Sequence, residues 1–291
     1  MSLTETDTYR RRKALMSQAF AVLCLLTTVF CVLVLVVLLA AIFYRGFPWL
    51  TWTFLTNFPS RFPAKAGILP ALVSSIWLIA LTTLFSVPIG VGAAVYLEEY
   101  AKASRFRSLV QLNISNLAGV PSIVYGILGL GLFVRALMLQ RSILAGALTL
   151  TLVVLPIIIL AAQEALRAVP DSIRRASYAL GATRWQTVRH QVLPAALPGI
   201  MTGVILAISR ALGEAAPLVA IGAATFITFV PKSIGDEFSA LPVQIFDWAG
   251  RPQAEFRDVA GAGIIVLLTL LIVMNAGAVW VRYRYGQRIR W

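Results

Sequence analysis

Apolar residues run through this chain in long unbroken stretches rather than in the stripes of a soluble fold. Residues 14–44, 66–97, 108–134, 142–163 and 259–281 carry no charged side chain at all. Each is long enough to cross a bilayer, which takes roughly 20 residues of helix. A sixth stretch, 191–231, is apolar apart from Arg210 and Glu214. The pattern predicts six spans. All are helical, because backbone polar groups in hydrocarbon must be satisfied within the segment. The ten-residue alternation of a membrane barrel is absent.

Composition agrees with the pattern. Hydrophobic residues make up 59% of the chain and charged residues 13%, about half the charged share of a soluble domain, so lipid must solvate most of it. The first apolar run follows Arg10–Lys13 but is too long for a signal-peptide core and lacks a small-residue cleavage site, so it reads as a retained helix. Basic residues set the orientation. Sixteen lie in the odd-numbered loops, counting the N-terminus first, and eight on the other side, which predicts that both termini are cytoplasmic. The net charge of +13 is therefore mostly loop bias near headgroups and calls for no nucleic acid. Cys24 and Cys31 both lie in the first run and read as apolar packing residues. The chain divides into a cytoplasmic tail (1–13), one membrane domain (14–284) and a second cytoplasmic tail (285–291).

The loops differ in character. Segment 45–65 is aromatic and suits the interface, and 231–258 contains Leu241, Val243, Ile245, Phe246 and Trp248, enough for a short interfacial or gating helix. The inner loop 167–198 is the richest. Pro170 and Asp171 predict a helix start, the aspartate accepting from first-turn N–H groups, with a helix over 172–180. Gly181 closes it in the left-handed conformation. Thr183 and Gln186 have capping-box spacing and open a second short helix that Pro194 ends, with Pro198 in the first turn of the next span. Arg174, Arg175, Arg184, Trp185 and Arg189 fall on its exposed side. Such an element either docks a cytoplasmic partner or rests on headgroups.

This loop resembles the cytoplasmic motif of ABC importer membrane subunits, Glu-Ala-Ala, three residues, Gly, nine residues, Ile-x-Leu-Pro. Arg175-Ala176-Ser177, Gly181 and Gln191-Val192-Leu193-Pro194 keep its spacing, with Arg175 and Gln191 as departures. The resemblance implies a coupling helix, including Leu180, Ala182 and Thr183, that sits in a groove of an ATPase subunit. Segments 97–101 (Leu-Glu-Glu-Tyr-Ala), 113–126 and 210–218 (Arg-Ala-Leu-Gly-Glu-Ala-Ala-Pro-Leu) are similar to PstA-type phosphate permeases, and the resemblance spans residues 67–281. It implies a type I ABC importer permease fold and transport of inorganic phosphate. The implied partners are a PstC-type permease, two PstB-type ATPase subunits and a PstS-type periplasmic phosphate-binding protein.

The chain itself has no catalytic constellation. His190 reads as a surface residue, and no Gly-x-x-x-x-Gly-Lys-Ser/Thr loop is present, so ATP and magnesium belong to the ATPase partner. What stands out is Arg210 with Glu214, since an intramembrane charge costs about 2.5–3.5 kcal/mol on insertion scales. Spacing of four puts them on one helix face. They are either a packing pair or a substrate site in which the guanidinium binds an oxyanion. The resemblance favours the path. Asn113, Ser115, Asn116, Ser122 and Tyr125 line the same path or bond between helices. Asn275 reads as packing. Gly119-Val120-Pro121 and Gly213 are possible helix breaks. The rival substrates are other oxyanions such as sulfate or molybdate. The rivals of a different class are an ion-driven carrier and a membrane anchor or sensor.

Overall fold

The computed structural model describes residues 3–224 and 226–286, with side chains from residue 13 to residue 284. Twelve helices follow one another among the described residues: α1 (Leu3–Gly46), α2 (Trp52–Thr56), α3 (Leu69–Val95), α4 (Arg105–Ala118), α5 (Ser122–Gly129), α6 (Ile143–Arg167), α7 (Asp171–Ala179), α8 (Arg184–Thr187), α9 (Leu193–Gly213), α10 (Ala216–Ile221), α11 (Leu241–Gly250) and α12 (Glu255–Gly286). Five are long and apolar enough to cross a membrane, α9 counted together with the turns that lead into it. The remaining apolar run is bent. α4 and the segment from α5 to Ala136 meet at an angle of 102°.

That break lies at Gly119-Val120-Pro121. Gly119 N–H still reaches the Asn116 carbonyl, and then Pro121, without an N–H and unfavourable for a helical residue before it, turns the chain. The Leu117 carbonyl accepts from Val120 N–H at 3.1 Å and from the Tyr125 hydroxyl at 2.7 Å, so the kink is tied rather than loose. Beyond it α5 packs on α10. A Cβ on Gly126 would lie 2.6 Å from Ala220 Cβ, so only glycine permits this approach.

α6 is the centre of the domain. Ser142 caps it by accepting from Ala145 N–H, and α3, α4, α5 and α9 all pack on it. Its side chains are buried nearly all round, as expected for a helix that is apolar on every face. One core cluster unites α6 with α3 and α9 through Ile79, Val154, Ile158, Ala162, Ile200 and Ala207. α1 is the opposite case. It packs chiefly on α12, where Gly46 lies against Gly261, and leaves its apolar side chains exposed along most of its length. That surface belongs to lipid or to a neighbouring subunit.

Several boundaries differ from expectation. α1 begins at Leu3, so its helical backbone extends through most of the segment 1–13. α12 continues to Gly286, and Arg288 and Arg290 lie outside the described residues. The helix expected in 231–258 is present as α11, yet its Leu241, Val243 and Trp248 turn inward. Trp248 packs against Phe54 with ring centroids 5.8 Å apart, because α11 lies over α3 and α12 rather than out in the interface.

Candidate functional site: a helix-end arginine and a clamped inner loop

α9 carries Arg210 in its last turn and stops at Gly213. Glu214 is the capping residue, with extended backbone (φ −79°, ψ 106°), and Pro217 lies in the first turn of α10. The expectation of one continuous face for Arg210 and Glu214 is therefore corrected. Proline offers no N–H to carry the helix through, and the glutamate leaves it. The two remain in reach: Arg210 Nε donates to Glu214 Oε1 at 3.2 Å. The arginine side chain is 54% exposed and the glutamate 17%. A cation at a helix C-terminus is favoured by the dipole, and most N–H donors of this guanidinium have no partner among the described residues. One residue earlier, Ser209 donates to Asn275 Oδ1 at 2.6 Å, joining α9 to α12. Asn275 is thus a packing residue, as expected.

The polar residues of α4 and α5 divide. Asn113 and Asn116 lie on one exposed face of α4, Asn113 donating to the Leu109 carbonyl of its own helix at 2.8 Å. Ser115 lies on another, in line with Ser108 and Gln111. Ser122 is half-buried at the start of α5. Tyr125 is buried in the core as the strut of the kink, its hydroxyl spent on the Leu117 carbonyl. Neither α4 nor the kink belongs to the main packing surface of α9, since both helices pack on α6. The structure therefore brings Arg210 to Glu214 but does not bring the α4 residues to that pair.

The inner loop is folded as the spacing predicts in two respects. Gly181 has φ +82°, and Thr183 and Gln186 form a capping box. Ser177 and Thr187 hydroxyls lie 2.9 Å apart and join α7 to α8. Other details differ. α7 starts at Asp171 itself, whose carboxylate caps nothing and lies 3.5 Å from Arg174 and 3.7 Å from Arg175. Pro194 does not end the second helix. Leu193 N–H reaches back to the Val188 carbonyl through a π turn, Val188–Val192, and the chain is helical from Arg184 to Gly213. Pro198 consequently lies inside α9.

Arg174 is also not on the exposed side. It donates to Glu99 Oε1 at 2.7 Å and 3.1 Å, to the Leu166 carbonyl at 2.9 Å and to the Val169 carbonyl at 2.7 Å. One guanidinium thus ties α7 to the end of α6 and to the π turn Tyr96–Tyr100 that ends α3. Arg184 adds a cation over the Tyr100 ring at 5.6 Å. The face left free carries Arg175, Ala176, Leu180, Trp185 and Arg189, with half-buried Ser177 and Ala182 behind it and Thr183 at the turn. Next to this clamp Glu98 receives Arg107, Arg167 and Gln163 at 3.4, 2.7 and 3.0 Å, and Gln163 pairs with Gln111. Sequence reasoning passed over Glu98, Glu99, Gln111 and Gln163. The available signal was Gln163, an amide at the end of an otherwise apolar span that needs a partner there.

Residues 86–291 match the family described as binding-protein-dependent transport system inner membrane component. The chain is 35% identical over 244 residues to phosphate transport system permease protein PstA 1 of Mycobacterium tuberculosis H37Rv, covering 83% of this chain and 77% of that one. It is 34% identical over 262 residues to the probable ABC transporter permease protein YqgI of Bacillus subtilis strain 168, covering 85% and 88%. Among solved structures, a chain of the inward-facing MetNI methionine ABC transporter superposes with a TM-score of 0.61 at 20% identity, over 75% of this chain and 97% of that one. This likeness is one of fold, and it bears out the type I ABC importer permease architecture.

Proposed function

The chain belongs to the binding-protein-dependent transport system inner membrane component family, and on that premise we propose that it is the permease subunit that carries inorganic phosphate inward in an ATP-driven importer. Relatives named as phosphate permeases, 32–35% identical over most of the chain, support the substrate. The observation that carries the chemistry is Arg210. It sits in the last turn of α9, half-exposed and, among the described residues, bonded through its side chain to Glu214 alone. A guanidinium with free, coplanar N–H groups binds a phosphate oxyanion through two parallel bonds, and Glu214 orients it while the path is empty.

The rest of the mechanism follows from the same reading. A second, PstC-type permease completes the path, and two PstB-type ATPase subunits bind ATP and magnesium beneath it; this chain supplies no hydrolytic site. Both termini and the loop 167–198 face the cytoplasm, in keeping with the basic residues there. A PstS-type binding protein delivers phosphate from the periplasm. ATP-driven closure of the ATPases presses on the free face at Leu180 and Trp185. The Arg174–Glu99 clamp passes that motion to α3 and α6, and α9 follows through its packing on α6.

The test is labelled-phosphate uptake into proteoliposomes that contain the full complex, with wild-type chain and with Arg210→Gln. ATP-dependent uptake that Arg210→Gln abolishes in an assembled complex is the expected result. Equal uptake by both makes Arg210 a packing residue. Uptake of sulfate or molybdate instead of phosphate overturns the substrate.

A further inference from the structure

Near the ends of α3, α4 and α6, beside the coupling loop, lies an open cleft of about 680 Å3. Its wall carries Arg105, Arg107 and Arg167 together with Ser108, Gln111 and Ser115, and no carboxylate. The nearest acids stand behind or beside it. Glu98, with a side chain only 10% exposed, holds Arg107 at 3.4 Å and Arg167 at 2.7 Å from the rear, and Glu164 pairs with Arg167 at 2.9 Å. Arg105 has no acidic partner among the described residues. Three guanidinium charges therefore face two carboxylates. Each arginine has five N–H donors, of which Arg107 commits one to Glu98 and Arg167 two to its acids. Glu98 thus acts as a backing that fixes two guanidinium groups while their remaining donors are open to the cleft.

We propose that this cleft binds a phosphate-class oxyanion on the cytoplasmic side, distinct from the Arg210 site. Its forked donors and the hydroxyls of Ser108 and Ser115 match tetrahedral phosphate oxygens. Two sources supply that chemistry there: inorganic phosphate leaving the path, and the headgroup of an anionic inner-leaflet lipid. The location rests on the proposed orientation, because the loop before α4 is cytoplasmic only if both termini are. Ser115 gives the link to transport, since this α4 residue of the expected path lines the cleft.

The experiment is equilibrium binding of labelled inorganic phosphate to the purified complex, without binding protein, in nanodiscs of phosphatidylcholine. Measured in a complex that carries Arg210→Gln, so that the cleft is read without the α9 arginine, Arg105→Gln is expected to weaken this binding about tenfold, the loss of one charge-assisted contact, while Arg105→Lys retains most of it. Arg105 is exposed and makes no ion pair, so its replacement leaves the fold intact. Adding phosphatidylglycerol separates the sources. Competition with phosphate in wild type that Arg105→Gln relieves identifies the lipid headgroup as occupant, and no competition identifies free phosphate. Wild-type phosphate and lipid binding by both Arg105→Gln and Arg107→Gln overturns the site. Failure of ATP-driven uptake strikes the transport reading alone and leaves this binding result standing.

Discussion

Two arginine–glutamate pairs in this chain have the same chemistry and opposite commitments. Arg174 and Glu99 are 75 positions apart, have side chains only 17% and 6% exposed, and are bonded by several N–H groups to a carboxylate and two helix-end carbonyls. Arg210 and Glu214 are four apart, share one bond, and leave the guanidinium 54% exposed. The first is a fastener: a desolvated charge with every donor side engaged has nothing left for a ligand. The second is available, because a local exposed pair contributes little and separates readily. An arginine near a membrane is therefore not informative until its partners are known.

The comparison can be broken by measuring both pairs in the same assembled complex. Arg174→Ala leaves Glu99 buried and unpaired and frees two carbonyls, so it is expected to cost about 3 kcal/mol. A lowered melting temperature together with ATP hydrolysis that no longer drives uptake would mark it as the coupling clamp; unchanged coupling would refute that. Tyr125→Phe calibrates an uncharged fastener. Loss of the bond to Leu117 is expected to cost about 1 kcal/mol, read as a smaller fall in melting temperature with uptake retained. Arg210→Gln is expected to move stability by about 0.5 kcal/mol or less while uptake is lost. A large fall in melting temperature would place it with Arg174.

The smallest effect belongs to a carboxylate held by backbone instead of arginine. Lys232 and Ser233 N–H groups donate to Asp236 at 2.8 and 2.9 Å and hold its carboxyl below the ordinary value. A lowered folded value means that its stabilisation is present above the ordinary aspartate range and fades as pH falls through the lowered one. Because Ile143 N–H bonds to the Asp236 carbonyl, the protection of the Ile143 amide, its exchange measured against the intrinsic rate at each pH, should fall in acid. Asp236→Asn should remove that pH dependence, and an unchanged profile would deny the carboxylate its role.

How much of this was legible depended on the range of each cause. The run of 14–44, the capping box at Thr183 and Gln186 and the left-handed Gly181 arise within a few residues, so their patterns appear in the chain itself. The break at Gly119–Pro121 was legible as a possibility, because proline and glycine are common in membrane helices that run straight through. Pro194 misled for a related reason: a π turn absorbs a proline that would otherwise end a helix. Glu99 carried no local sign at all. Its neighbour Glu98 looks the same, yet one joins α7 and the other backs the arginine cleft.

By itself, then, the sequence determined the solvent of this protein, the apolar runs from which its spans are built, the folding of its inner loop and the presence of one arginine–glutamate pair at the end of a span. Those properties depend on hydrophobicity and backbone geometry over one or two helical turns. Only the tertiary structure decided that Tyr125 is a strut, that Arg174 is a clamp, that Glu214 has left its helix and that Ser115 faces three arginines. Each of those outcomes depends on which helix packs on α6 and at what angle, and burial and pairing across such contacts are not written in any single segment.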